Sequence, residues 1–248
     1  MILPFGLSPG TAAFLAAVVF IAAFVRGFSG FGYPVLVVAA GALVTNPVPL
    51  VPVGLMGDLL IGAMLWPSAR AHVHWPTMIR LAIGAAVGLV PGIWLLGLID
   101  EDTARLVVSG MVLLAALVML GGWTLPGRAG PSMTLGAGFV SGLVAPAGVA
   151  GPPVVTLAAA LGLTPLVFRA TLLAYFIALN VMAMGQFGLA GRLDREVLVA
   201  AALSVPLVLL GSWWGARRAV GANPARFRKA TIGVLMVMAV IGLGRALL

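Results

Sequence analysis

The chain contains no cysteine and few charged residues. Only 8% of its 248 residues are charged, against about 25% in an ordinary soluble domain. The absence of cysteine excludes disulfides, thiolate metal sites and cysteine nucleophiles. The 14 basic residues outnumber the 6 acidic ones, which gives a formal net charge of +8. These basic residues are too sparse to form a nucleic-acid-binding surface, so nucleic acid is not an expected partner.

Apolar sequence dominates instead, with 62% hydrophobic residues, 33 glycines and 17 prolines. A transmembrane helix needs about 20 apolar residues to cross about 30 Å of hydrocarbon. Six segments meet that length: 47–66, 76–98, 104–123, 164–187, 196–216 and 226–247. Four shorter segments form two pairs: 11–25 with 34–45, and 132–145 with 153–163. We therefore predict an all-α, polytopic membrane protein without a separate soluble domain.

A stretch rich in glycine and proline interrupts each pair of short segments. The first break runs from Arg26 to Pro34 and reads RGFSGFGYP, and the second runs from Ser141 to Pro153 and reads SGLVAPAGVAGPP. Either pair can form two half-length helices that meet at mid-membrane, which we favour, or two short, tilted crossings.

The order of the segments is the same in both halves, which indicates an internal duplication with one repeat over 1–123 and the other over 124–248. Pro34 and Pro153 are 119 residues apart, as are Gly92 and Gly211. Each half has three long helices, and a short pair adds either no crossing or two. The second repeat is therefore expected to be inverted relative to the first.

Charge in the loops predicts the orientation. One face has eight basic residues and no acid: Arg70, Arg80, Arg128, Arg217, Arg218, Arg226, Arg228 and Lys229. The loops of the other face mix basic and acidic residues. The positive-inside rule places the first face in the cytoplasm and both termini outside.

Three charged residues remain at membrane depth, where charge is costly and usually functional. Arg26, with a planar guanidinium suited to oxyanions, is either a substrate cation or a basic anchor in an interfacial loop. Asp58 either loads and releases a proton or is a buried partner that pins Arg26 or a neighbouring helix. Arg169 either contributes to the site or extends to the cytoplasmic interface.

A half-helix that begins at mid-membrane points its unpaired N–H groups into the protein, where an oxyanion can accept hydrogen bonds. The candidate substrate-binding residues are Arg26, Gly27, Ser29, Gly30, Gly32, Tyr33, Gly148, Gly151, Arg169 and Tyr175, with Asp58 for proton coupling. Glycines let the main chain approach a ligand, although they equally serve close helix packing. Tyr175, Asn180 and Gln186 form a polar face that can line the pathway or bond across helices.

Enzymatic chemistry is not expected. Residues 27–30 read GFSG, a pattern found in intramembrane serine proteases, but His72 and His74 lie in a predicted cytoplasmic loop remote from Ser29. The two histidines lack a nearby carboxylate that would complete a metal site. There is no P-loop sequence for ATP hydrolysis. We expect no cofactor, and the energy for any transport must come from a gradient or a partner.

The glycine-rich first break with its arginine, the Pro-Pro break in the matching place of the second half, and the duplicated layout resemble the TauE/SafE sulfite exporter family of bacterial membrane permeases. The resemblance covers essentially the full chain. It implies a permease with eight crossings that exports small sulfur oxyanions or organosulfonates, such as sulfite or sulfoacetate, across the inner membrane. A carrier of another small anion or solute, or a non-transporting accessory subunit, stays open as an alternative, and so does a homodimer.

Overall fold

The computed structural model describes residues 4–98, 100–120 and 130–218, and the regular structure in these ranges is helical throughout. The α-helices of these ranges are α1 (Pro9–Ser29), α2 (Tyr33–Ala42), α3 (Leu50–Ala69), α4 (Trp75–Leu98), α5 (Glu101–Leu120), α6 (Pro131–Val144), α7 (Gly151–Ala160), α8 (Pro165–Leu189) and α9 (Arg195–Arg218). The predicted segment 226–247 and the basic residues Arg128, Arg226, Arg228 and Lys229 lie outside the described residues.

The long predicted segments correspond to long helices. Segments 47–66, 76–98, 164–187 and 196–216 match α3, α4, α8 and α9, each of which is long and apolar enough to cross a membrane. Segment 104–123 corresponds to α5, which has 20 residues. The chain is therefore a multi-pass membrane protein with an all-helical fold.

The first short segment was predicted wrongly. Segment 11–25 was expected to end before Arg26, but α1 runs for 21 residues to Ser29 and is itself long enough to cross a membrane. The helix continues through Gly27 because the main chain of α9 at Ser212 packs directly on this glycine, which offsets its low helix propensity. The break begins only at Gly30, whose φ of 88° ends α1.

The other short segments are short helices. Each of α2 and α7 has 10 residues, and at 1.5 Å per residue such a helix is about 15 Å long, half the thickness of the hydrocarbon core. Neither helix can cross the membrane alone. Arg26 pairs with Asp58, the ninth residue of α3, and Ser141 bonds to Tyr175, the eleventh residue of α8. The second break therefore lies level with the middle of α8, and Arg26, one turn before the first break, lies level with the middle of α3.

Two parallel pairs of helices pack through glycines. Gly84, Gly88 and Gly92 of α4 lie against the main chain of Leu135, Phe139 and Leu143 of α6. Gly211 and Gly215 of α9 lie in the same way against Phe20 and Phe24 of α1. Residue numbers rise together along both partners, so each pair is parallel. Small residues allow such close approach, which is how helices commonly associate in membranes.

The outer surface of the helices is strongly apolar. Ile83, Val87 and Trp94 on α4 are 54%, 61% and 64% exposed, and Trp213 on α9 is 48% exposed. Soluble proteins rarely expose large contiguous apolar patches. This surface fits a protein whose outer helices face lipid.

Candidate functional site

The two breaks face one cavity inside the helix bundle. Its empty space, including the part open to the outside, is about 590 Å³. The cavity is lined by Arg26, Phe31, Gly32, Pro34, Val35, Leu55, Asp58, Val112, Ala145, Gly148, Ala150, Gly151, Pro152, Phe176 and Asn180. Six of the α-helices and both breaks therefore meet around this space.

Arg26 reaches the cavity from the last turn of α1 and is only 1% exposed. Its Nε donates to Asp58 Oδ1 at 2.5 Å, and its Nη2 donates to Asp58 Oδ2 at 3.4 Å. Its Nη1 donates to the carbonyl oxygen of Gly30, the residue that ends the helix. The guanidinium therefore bonds to the Asp58 carboxylate on one side and to the start of the first break on the other.

Asp58 is 3% exposed and has a second partner on α8. Asn180 Nδ2 donates to Asp58 Oδ2 at 2.9 Å. One turn before Asn180, the ring of Phe176 lies with its centroid 5.5 Å from Arg26 Cζ, a distance suited to a cation–π contact. Asp58 is therefore the buried partner of Arg26, one of the two roles that its sequence position allowed.

Ser29 holds the first break in shape. Its Oγ lies 2.8 Å from the carbonyl oxygens of both Val25 and Phe31, to either of which it can donate. Gly30 and Gly32 have φ values of 88° and 102°, a conformation that residues with a side chain rarely adopt. Between them these three residues turn the chain from α1 into α2.

Tyr175 and Ser141 hold the second break. Tyr175 OH donates to Ser141 Oγ at 2.7 Å, and Ser141 Oγ donates to the carbonyl oxygen of Ala150 at 2.6 Å. Gly148, with φ of 78°, lies so close to α2 that a Cβ there would be 3.4 Å from the carbonyl oxygen of Pro34. The second break therefore packs directly on the helix that follows the first.

The candidate residues from the sequence do not all reach the cavity. Arg26, Gly32, Gly148 and Gly151 line it together with Asp58. Gly27 packs on α9 instead, and Tyr175 and Ser29 bond to the breaks from outside the lining.

Tyr33 also lies outside the lining. It is fully buried with its ring and hydroxyl against Gly57 of α3, the residue next to Asp58.

Arg169 belongs to a second cavity that shares Arg26 with the first. This cavity is lined by Arg26, Gly30, Leu65, Ser68, Ala69, Leu166, Arg169, Ala170 and Leu173. Arg169 is exposed, and its Nη2 lies 3.4 Å from the carbonyl oxygen of Phe28. The second cavity lies at the end of the bundle where α3 ends and α8 begins. Arg26 therefore stands between the two spaces.

The sequence did not point to Phe176. An aromatic residue in an apolar membrane segment has no distinguishing pattern, and only its spacing of four residues before Asn180 places it on the same helix face. Asn180 was on the predicted polar face of its segment and is the member of that face that lines the cavity.

The histidines lie away from both cavities. The main-chain N–H of His74 donates to Thr171 Oγ1 at 2.9 Å, and His74 Nδ1 lies 2.8 Å from Thr77 Oγ1. The first bond ties the connection between α3 and α4 to α8, and the second ties it to the first turn of α4. Within residues 4–98, 100–120 and 130–218, no group of three or more His, Cys, Asp or Glu is placed to hold a metal ion.

Long apolar helices, two helices of 10 residues, and a buried ion pair beside an internal cavity are features of a membrane transporter. The chain matches the family described as Sulfite exporter TauE/SafE over residues 15–241 and belongs to that family. It is 27% identical over 234 residues to a protein of Cupriavidus necator named "Probable sulfite/organosulfonate exporter TauE". The aligned part covers 89% of this chain and 87% of the relative. No solved structure matches the chain.

Proposed function

We propose that this protein exports a small anion, sulfite or a short organosulfonate such as sulfoacetate, across the bacterial inner membrane by alternating access. Membership of the exporter family supports the transport class, and the name of the relative supports the substrate class. The observation that carries the proposal is a guanidinium, 1% exposed, at a cavity where two interrupted helices meet.

The cavity has the chemistry that an oxyanion needs. α2 begins at the cavity with Gly32 and Pro34, and α7 begins there with Gly151 and Pro152. Helix N-termini carry partial positive charge and N–H donors. Gly32, the N-cap of α2, has no side chain to satisfy those donors. Three sulfonate oxygens can therefore accept bonds from Arg26 and from both helix starts.

Packing supports two inverted repeats, 1–123 and 124–248, each with a broken-helix pair. α1 packs on α9 as α6 packs on α4, and α3 packs on α9 as α8 packs on α4. Exchanging the two halves leaves this pattern unchanged. In this arrangement α6 is the counterpart of α1, α8 of α3 and α9 of α4. The pair α1 and α9 is parallel, and so is the corresponding pair α6 and α4. The end of α3 lies beside the start of α8, so these two counterparts run in opposite directions, as inverted repeats require.

Arg169 gives the substrate an approach to the site. Its cavity lies near Arg70, and the positive-inside rule assigns that end of the bundle to the cytoplasm. An anion attracted by the exposed Arg169 meets Arg26 next and then the cavity between the breaks. Asp58, the acid bound to Arg26, is the group placed to couple this movement to a proton.

Calorimetry of purified protein with sulfite, sulfate, sulfoacetate and carboxylate analogues tests the proposal. A charge-assisted hydrogen bond is worth about 1.5–3 kcal/mol, so we expect Arg26→Ala to weaken affinity by roughly 10- to 150-fold. Arg26→Lys keeps the positive charge but loses the two parallel N–H donors of the guanidinium, so its affinity is expected to lie between those of the wild type and Arg26→Ala. The matched control is Arg70→Ala, at an exposed arginine, with unchanged affinity. Unaltered binding by folded Arg26→Ala would exclude the site at the first break, and no binding of any anion would favour an accessory subunit.

A further inference from the structure

The carboxylate of Asp58 occupies the face of Arg26 that an anion would use. Arg26 Nε and Nη2 both point to Asp58, and Nη1 is committed to Gly30. The pair is 1% and 3% exposed, so water cannot take the place of either partner. An anion that binds this guanidinium in the same forked geometry must displace the carboxylate.

Among the described residues, no other cation contacts Asp58 and could take over the displaced carboxylate. From the helices packed on α3, the groups that face Asp58 in the described residues are Arg26 of α1, Tyr33 of α2 and Asn180 of α8. Tyr33 and Asn180 are uncharged. The charged side chains of α9 lie at its two ends: Arg195 and Glu196 at the start, and Arg217 and Arg218 at the finish. Arg169 lines the second cavity and not the one that holds Asp58.

We propose that an anion binds Arg26 only together with a proton on Asp58, so that the anion replaces the carboxylate and the carboxylate becomes a neutral acid. The inference rests on the proposed function and specifies its coupling. A buried, unpaired carboxylate beside a bound anion is strongly unfavourable, and protonation removes that charge. The acid keeps Asn180 as a partner for its carbonyl oxygen and gains an O–H that can donate to the bound anion. The site has no net charge before or after the exchange.

Such coupling has a consequence for transport. A monoanion and a proton that bind together also cross together, so no net charge moves. Export is then favoured by a higher anion concentration and a lower pH on the cytoplasmic side, and the membrane potential has no direct effect.

Calorimetry of the wild-type protein with methanesulfonate tests the proposal, because the charge of this anion does not change with pH near neutrality. Titrations in two buffers with different heats of ionisation report the number of protons taken up. We expect about one proton for each anion, and an affinity that falls about tenfold for each pH unit while Asp58 is ionised in the free protein. Binding without proton uptake and with the same affinity at every pH would overturn this inference and leave the anion site intact. Absence of binding by methanesulfonate and sulfite alike would overturn the proposed function itself.

Asp58→Asn provides the second measurement. The amide is close to isosteric and still offers an oxygen to Arg26, and we expect this variant to bind methanesulfonate without proton uptake and with a pH-independent affinity. The matched control is Asp194→Asn, at an exposed acid that caps α9 by accepting from Val197 N at 2.8 Å. Asparagine caps helices as well as aspartate, so this control keeps the proton uptake of the wild type. Proton uptake by a folded Asp58→Asn variant would refute the assignment to Asp58.

Discussion

Replacing Arg26 and Asp58 together is expected to destabilise the protein less than the two single replacements combined. The matched variants are Arg26→Met, Asp58→Leu and the double variant, because both new side chains are apolar and carry no charge at any pH. Each single change leaves one charge buried without its partner, in a pair that is 1% and 3% exposed. Removing one member of a buried ion pair costs about 3–5 kcal/mol.

The magnitude for the double variant follows from the remaining partners. Two independent single effects would add to roughly 6–10 kcal/mol. In the double variant no charge is left unpaired, and the losses that remain are the acceptor of Asn180 Nδ2 and the donor to the carbonyl oxygen of Gly30. Each unpaired buried polar group costs about 1–3 kcal/mol, so the two together cost about 2–6 kcal/mol. We therefore expect the double variant to be destabilised by less than the sum of the two single effects.

Denaturant unfolding in detergent, followed by tryptophan fluorescence, measures these differences, and the chain has 6 tryptophans to report it. Arg70→Met removes an exposed arginine and is expected to stay within about 0.5 kcal/mol of the wild type. A double variant destabilised by the sum of the two single effects would show that Arg26 and Asp58 are not energetically coupled, contrary to their geometry.

Two further predictions concern topology and helix packing. The chain has no native cysteine, so single cysteines can be introduced and labelled in intact cells. We expect His72→Cys to be shielded from impermeant thiol reagents and Asp194→Cys to be labelled. Equal labelling of both variants would contradict the inverted arrangement. Gly88→Ala is expected to lower the melting temperature because its Cβ would meet the main chain of Phe139. The control, Gly136→Ala, has no atom within 4 Å of the new Cβ and is expected to leave the melting temperature unchanged or raise it. Equal melting temperatures for the two variants would mean that α4 and α6 can separate at no cost.

The sequence predicted the helices well where hydrophobic length alone decides them. α3, α4, α8 and α9 match their segments because an unbroken apolar run of about 20 residues has few other stable structures in a bilayer. The starts of α2 and α7 were also predictable, since Pro34 and Pro153 fit the first turn of a helix.

The end of α1 was not predictable from local sequence. Arg26 and Gly27 have the composition of a break, but they are helical because of partners remote in the chain: Asp58 for the arginine and Ser212 for the glycine. The role of Tyr175 was missed for the same reason, because only the folded chain brings its hydroxyl to Ser141. Ser29 instead bonds to carbonyl oxygens of its own neighbours, Val25 and Phe31.

The parallel glycine contacts have a consequence for any motion that opens the cavity. α1 belongs to the first half of the chain and α9 to the second, and likewise α4 and α6 come from different halves. Main-chain atoms touch in both pairs, so neither pair can slide or separate without losing its closest contacts. Any motion that keeps these contacts therefore moves α1 with α9 and α4 with α6. Each unit that moves in this way combines helices of both halves, so neither half expressed alone would contain the partner on which its α1 or α6 packs.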